Sequence, residues 1–219
     1  MDMLNQVRML IRKEMMIEWR SKYALNGILL YVVSTIFVCY LSFRQIDPLT
    51  WNALFWIIML FASINAISKS FVQESRGRQL YYYTIAGPQA IIIAKIVYNV
   101  VLMLVLSAIA IGVYRIVFRN PLGDPFYYML AVLLGSLSFS TVFTMISAIA
   151  SRAGNNGTLM AILSFPVIIP LLMLLIKLSK NAMDGLDRSV SLDEITVLLL
   201  INAMVVTVSL LLFPFLWKE

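Results

Sequence analysis

Histidine is absent from the 219-residue chain. The residue used most often as general base, transition-metal ligand and axial haem ligand is therefore missing. A Ser-His-Asp or Cys-His centre and an HExxH zinc site are excluded with it, and no metal site is predicted. Cysteine occurs once, as Cys39, so no internal disulfide can form. Cys39 stands inside an apolar run, where a thiol behaves as a small hydrophobe. Charge is scarce: 13% of the residues are Asp, Glu, Lys or Arg, against about 25% in a soluble domain. No GxxxxGK[ST] phosphate loop occurs, so the chain is not expected to bind ATP itself. No acidic residue is expected inside a membrane span, which disfavours proton- or sodium-coupled transport. With no acid–base constellation visible, no catalytic residue is assigned and a non-enzymatic protein is expected.

What is abundant is apolar. Hydrophobic residues make up 61% of the chain and the mean hydropathy is +0.90. The apolar runs approach ~20 residues, the length that crosses a ~30 Å hydrocarbon core as a helix. The expected fold is all-α and integral to the membrane, one domain over 1–219 with six spans. These are placed at about Leu25–Phe43, Trp51–Ser68, Ala90–Tyr114, Phe126–Ala150, Thr158–Ile176 and Ile195–Trp217. Asp47-Pro48, the Pro121–Pro125 segment and Gly154–Gly157 punctuate the turns. Asp193-Glu194 suit the first turn of the last span. Trp51 and Trp56 are expected near a lipid interface. No cleavable signal peptide is evident, since Asp2, Glu14 and Glu18 interrupt the first 24 residues.

Residues 2–22 predict an amphipathic helix. Met3, Leu4, Val7, Leu10, Ile11 and Met15 recur at three- and four-residue steps, while Arg8, Arg12 and Lys13 occupy another sector. Such a helix lays one stripe on lipid and its cations on headgroups. Six spans put both termini on one side. That side collects eleven basic and five acidic residues, the other six of each, so the whole net charge of +6 lies on the first face. By the positive-inside bias that face is cytoplasmic. The basic balance then reports topology and anionic lipid rather than nucleic acid.

On the cytoplasmic side one long polar interruption remains, Lys69–Lys95. It carries Glu74, Arg76, Arg78, the run Tyr81-Tyr82-Tyr83 and Gly87-Pro88. A membrane protein without catalytic groups needs a place for a soluble partner to grip, and this segment is the candidate. Lys95 either snorkels to the boundary or ties down the loop, for instance through Glu74, with Asn99 on its face. In the fourth span Ser136, Ser140, Thr144 and Ser147 share one face. They serve helix packing or a contact between protomers. Pro166 and Pro170 in the fifth span predict a kink.

Two patterns carry a resemblance. The loop has Glu74-x-x-Gly77-x-x-Leu80, then Gly87-Pro88 and Ala94-Lys95. The fifth span has Gly157-Thr158-Leu159, then Leu163-Ser164-Phe165-Pro166 and Pro170-Leu171-Leu172. With the N-terminal helix and six spans, these resemble the ABC-2 class of ABC exporter permeases and, within it, the CcmB family of the cytochrome c maturation haem exporter. Tyr81-Tyr82-Tyr83 is more aromatic than that pattern.

The resemblance implies a bacterial inner-membrane permease subunit that pairs with a cytoplasmic CcmA-like ATPase and with CcmC-like and CcmD-like haem-handling proteins. ATP would sit on the partner, and its hydrolysis would drive haem delivery or release of the haem-loaded chaperone. Haem would be a substrate of the complex, with no cofactor bound by this chain. The 69–89 loop would be the coupling element. Phe71, Leu80 and Tyr81 would fill a groove of the ATPase, Glu74, Arg76 and Arg78 would set register at its rim, Gly77 belongs to the motif, and Gly87, Pro88 and Lys95 would lead into the third span. Copy number, including a homodimer, stays open. So do a lipid, polysaccharide or drug cargo, and a non-transporting scaffold.

Overall fold

A computed structural model describes residues 3–21, 23–43, 46–72, 86–118, 122–152 and 156–218. These are helical almost throughout. The helices are α1 (Met3–Ser21), α2 (Tyr23–Ser42), α3 (Pro48–Ile67), the single-turn α4 (Lys69–Val72), α5 (Pro88–Val117), α6 (Pro125–Arg152), α7 (Asn156–Met183) and α8 (Leu192–Lys218). A 3-10 turn, Arg188–Ser191, precedes α8. In hydrocarbon no water can satisfy a backbone amide, so apolar runs of this length close their bonds within the segment as helices.

The helix starts follow local chemistry. Asp47 caps α3 by accepting from Thr50 N (3.1 Å) and Thr50 Oγ1 (2.5 Å), with Pro48 at the first helical position, where a missing N–H costs nothing. Those two bonds from Thr50 hold the Asp47 carboxyl below its ordinary range. Gly87 and Pro88 open α5 in the same way, without a side-chain cap on Gly87. Asp193 and Glu194 occupy the first turn of α8, where a negative charge meets the positive end of the helix dipole. α7 is assigned as one helix through Pro166 and Pro170.

Among the described residues five helical segments are long and apolar enough to cross a membrane: Pro48–Ile67, Pro88–Val117, Pro125–Ser151, Ile162–Met183 and Arg188–Leu216. Asn26–Ser42 is a shorter apolar helix. The chain is thus an all-α, multi-pass membrane protein.

Burial ranks the spans. In its apolar window α6 is 72% buried and α8 only 22%, which makes α6 the central helix. It packs against α7, α5, α8, α3 and α4. The contact with α3 is close. A Cβ on Gly135 would lie 2.4 Å from the Trp56 ring, so the absence of a side chain there is what lets the indole lie on α6. From the pyrrole edge of the same ring Trp56 Nε1 donates to Ser179 Oγ of α7 (2.8 Å).

Trp51 and Trp56, expected near a lipid interface, face the inside of the bundle. Both are fully buried. Trp51 anchors an aromatic nest with Phe55, Tyr114 and Tyr128, with ring centroids 4.8–6.4 Å from its own. The indole preference for the interface holds for lipid-facing positions. Here α3 turns that face towards α5 and α6, and packing decides.

Near the same end of the bundle the backbone before α6 is stitched to the end of α7. Gly123 N donates to Met183 O (3.0 Å) and Asp124 N to Ala182 O (2.9 Å). A Cβ on Gly123 would stand 2.7 Å from Met183 O, and Gly185 sits at φ 66, so both positions need glycine. Asp124 accepts from Phe126 N and Tyr127 N and from Arg188 Nε (3.2 Å) and Nη2 (3.0 Å). The Tyr127 amide first, then Arg188, holds its carboxyl below the usual carboxylate range.

Candidate functional site

The 69–89 loop leaves the bundle at α4 and returns at Gly87. Residues 73–85 lie outside the described residues, and with them Glu74, Arg76, Gly77, Arg78, Leu80 and Tyr81. Both stems are described, and both are seated on side chains from distant parts of the chain.

The outgoing stem begins where α3 ends at Ser68. A helix end leaves carbonyls without intrahelical donors, and these must be satisfied elsewhere. Ser147 Oγ of α6 donates to Ser68 O (3.2 Å). Lys95 Nζ of α5 donates to Ser70 O. Asn99, one turn further along α5, donates from Nδ2 to Ser70 Oγ (3.2 Å) and to Thr144 Oγ1 of α6 (2.8 Å). Phe71 is buried against Phe213 of α8, with ring centroids 5.6 Å apart. It belongs to a small second hydrophobic cluster with Ala86, Ile91, Ile92, Ile96 and Ala148, against which Leu10 of α1 packs.

Lys95 lies at the centre of this junction and is 2% exposed. A buried ammonium costs several kcal/mol unless its charge and donors are met. They are: Nζ bonds Glu14 Oε1 at 3.2 Å as well as Ser70 O, and stands 4.8 Å from the centroid of the Phe71 ring. Lys13 Nζ reaches the same Glu14 oxygen at 3.0 Å. The snorkelling alternative for Lys95 is thus overturned. A snorkelling lysine carries its ammonium to water, and this one is held under α1. The loop tie is real, and Glu14 and Ser70 are partners that the spacing did not reveal.

The returning stem meets α1 too. Gly87 N donates to Gln6 Oε1 (3.2 Å). Beside it a cavity of about 250 Å³ is lined by Met3, Gln6, Gly87, Pro88, Gln89, Ala90 and Pro214. α1 has one face inward, with Val7, Leu10, Glu14 and Glu18 partly buried. Met3, Leu4, Met9, Met15, Met16 and Ile17 are exposed beside Arg8 and Arg12. The expected stripe is therefore divided. Leu10 faces the protein, while Met3, Leu4 and Met15 face outward.

The hydroxyl face of α6 is internal. Ser136, Ser140, Thr144 and Ser147 are all buried within the chain. Ser136 Oγ donates to Val132 O (2.8 Å), Ser140 Oγ to Ser136 O and Thr144 Oγ1 to Ser140 O, so these three hydroxyls are satisfied on their own helix, while Ser147 Oγ turns to Ser68 O. Ser147 thus meets the loop stem directly, and Thr144 reaches it through Asn99. The neighbouring face holds Asn202 of α8, which donates to Ser138 Oγ (2.7 Å) and accepts from Thr141 Oγ1 (2.8 Å). Asn202 was findable. It is a lone amide in an apolar run, which in lipid seeks a partner across helices.

One acidic residue contradicts the expectation that no span buries an acid. Glu194, in the first turn of α8, is 4% exposed and pairs through Oε1 with Lys177 Nζ at 2.6 Å. The helix begins earlier than the apolar run does, at Leu192, which draws the carboxylate inside. Among the described residues no three Cys, Asp or Glu side chains gather as a metal site would require.

Compared with protein families, the chain matches the model described as CcmB protein over residues 5–218, nearly its full length. No curated protein matches it.

Proposed function

The chain belongs to the CcmB family, and from that premise we propose that it is the permease subunit through which a separate cytoplasmic ATPase drives haem export in cytochrome c maturation. The family is one of transporter permeases in haem transport and cytochrome c biogenesis. The finer reading is ours. The 1–219 chain is one ABC-2-type domain of six spans, the sixth being α2, and both termini face the cytoplasm of a bacterial inner membrane. ATP binds the partner ATPase, a CcmA-like protein. CcmC-like and CcmD-like proteins complete the assembly, and any axial histidines come from them rather than from this histidine-free chain.

The observation that supports this best is the seating of the loop stems. A loop that transmits force must not yield at its roots. Here Ser68, Ser70 and Phe71 are held by side chains of α5, α6 and α8, and Gly87 by Gln6 and the first turn of α5. Displacement of the segment carrying Glu74, Arg76, Gly77, Arg78, Leu80 and Tyr81 would pass to α5 through Gly87-Pro88 and Lys95, and to α6 through Ser147 and Asn99. Proline at position 77 removes a backbone donor and stiffens the docking segment. The test is Gly77→Pro beside Glu74→Ala in the purified assembly, with ATPase activity and cytochrome c maturation as readouts. Loss of maturation with the ATPase still active or released is expected. Full maturation in both variants would refute the coupling role.

A further inference from the structure

α1 and α5 share two polar contacts in one register. Gln6 accepts from Gly87, and Glu14 accepts from Lys95, and both pairs are 81 residues apart in sequence. Eight residues on one helix therefore match eight on the other, about 12 Å along each at ~1.5 Å per residue. Two contacts in constant register mean that α1 runs alongside the beginning of α5 in the same direction. Leu10, midway between Gln6 and Glu14, packs on the cluster that contains Ile91, Ile92 and Phe71. The middle contact is apolar and the outer two are polar.

The polar end is shared by three elements. The Lys95 ammonium joins Glu14 of α1 to Ser70 O of α4 over the face of Phe71, so α1, the loop stem and α5 close on a single cation. A bond set of this kind is discrete. Coulomb attraction at low dielectric is strong while the ammonium is enclosed and falls once water enters.

We propose that Glu14 and Lys95 form a latch that makes α1 part of the moving unit, so that the N-terminal helix, the root of the coupling loop and the start of α5 travel together when the partner ATPase engages. Lys95 and Glu14 are positioning residues in this scheme. The proposal rests on the permease reading for its consequence in transport and on the contacts alone for the latch.

The test uses the full chain in native membranes with its partners, Cys39→Ser as background and Leu10→Cys as reporter. A bulky maleimide labels that thiol slowly while α1 is latched. Glu14→Ala and Lys95→Met are expected to raise the labelling rate at least about tenfold, the scale set by opening a buried pair. Lys95→Arg, which can still donate to both Glu14 and Ser70, is expected to keep it slow. Cytochrome c maturation should fall in the first two variants and persist in the third. Glu14→Ala carries the test if Lys95→Met does not reach the membrane, because Glu14 lies on the outer rim of the junction. Labelling rates that do not change overturn the latch, whatever transport does. Faster labelling with full maturation overturns its role in transmission. A chain whose deletion leaves maturation intact overturns the permease reading instead, and the labelling result stands apart from it.

Discussion

The two ends of the bundle are held by different physics. At the end that carries Lys95, a few directional bonds join four helices: an ion pair, a lysine on a carbonyl, an amide bridging two hydroxyls. At the end that carries Trp51, α3 meets α5 and α6 through rings. Trp51, Phe55, Tyr114 and Tyr128 fill the space between α3, α5 and α6, and Tyr114 OH is tied to Trp51 O at 2.9 Å. Ring packing has no single point of failure and many small contributions. A polar junction has few contributions, and each can be switched by one change of geometry. On the latch proposal, the aromatic end is the part that stays and the polar end the part that lets go.

Three measurements would break or sharpen that contrast. The largest effect is expected from Trp56→Ala, which empties the space over Gly135 and removes the bond to Ser179. A loss of ~3–5 kcal/mol is expected, read as a lower thermal midpoint in detergent, with the coupling of the surviving protein unaltered. If instead Trp56→Ala uncouples ATPase from maturation at normal stability, the aromatic end is a working part and the contrast fails. A smaller effect is expected for Asn202→Leu. It deletes bonds to Ser138 and Thr141 between two apolar helices, α6 and α8; in membrane proteins such interhelical hydrogen bonds average ~0.6 kcal/mol. A midpoint shift well below that of Trp56→Ala is expected, and an equal one would mean that polar seams carry the bundle.

The smallest effect is expected from the exposed Asp124–Arg188 pair. The Asp124 carboxyl lies below its ordinary value of 3.8 in the folded protein, so its contribution is present above that value and is lost as pH falls through the lower folded one. Comparing Asp124→Ala with the parent from about pH 5 downward should show a difference that shrinks with acidity. A difference that grows with acidity would contradict the assignment.

Much of this architecture is legible in the residues. Asp47-Pro48, Gly87-Pro88 and Asp193-Glu194 mark helix starts because caps and dipoles act within one turn. The hydroxyl face of α6 is legible because a face is a local periodicity. What is not legible is pairing across distance. Glu14 counts only as one negative charge until α1 is laid beside α5, since helical spacing names a face and never its neighbour. Trp51 and Trp56 show the same limit, since the residue type marks them as anchors and only the fold shows that they pack inward on α5, α6 and α7. Lys95 is legible in part: the position of a charge inside a span flags it, and only the fold supplies Ser70 and Glu14. The docking segment from Glu74 to Tyr81 lies outside the described residues, so its roles rest on the pattern and the family.

The two backbone bonds from Gly123 and Asp124 to Met183 and Ala182 have a mechanical meaning. α6 and α7 are joined at one end by the chain itself, through residues 152–156, and at the other by this pair of amides. Two rods fastened at both ends form a closed frame, and a frame does not splay. The long helices that pack on that frame from outside are α3, α5 and α8.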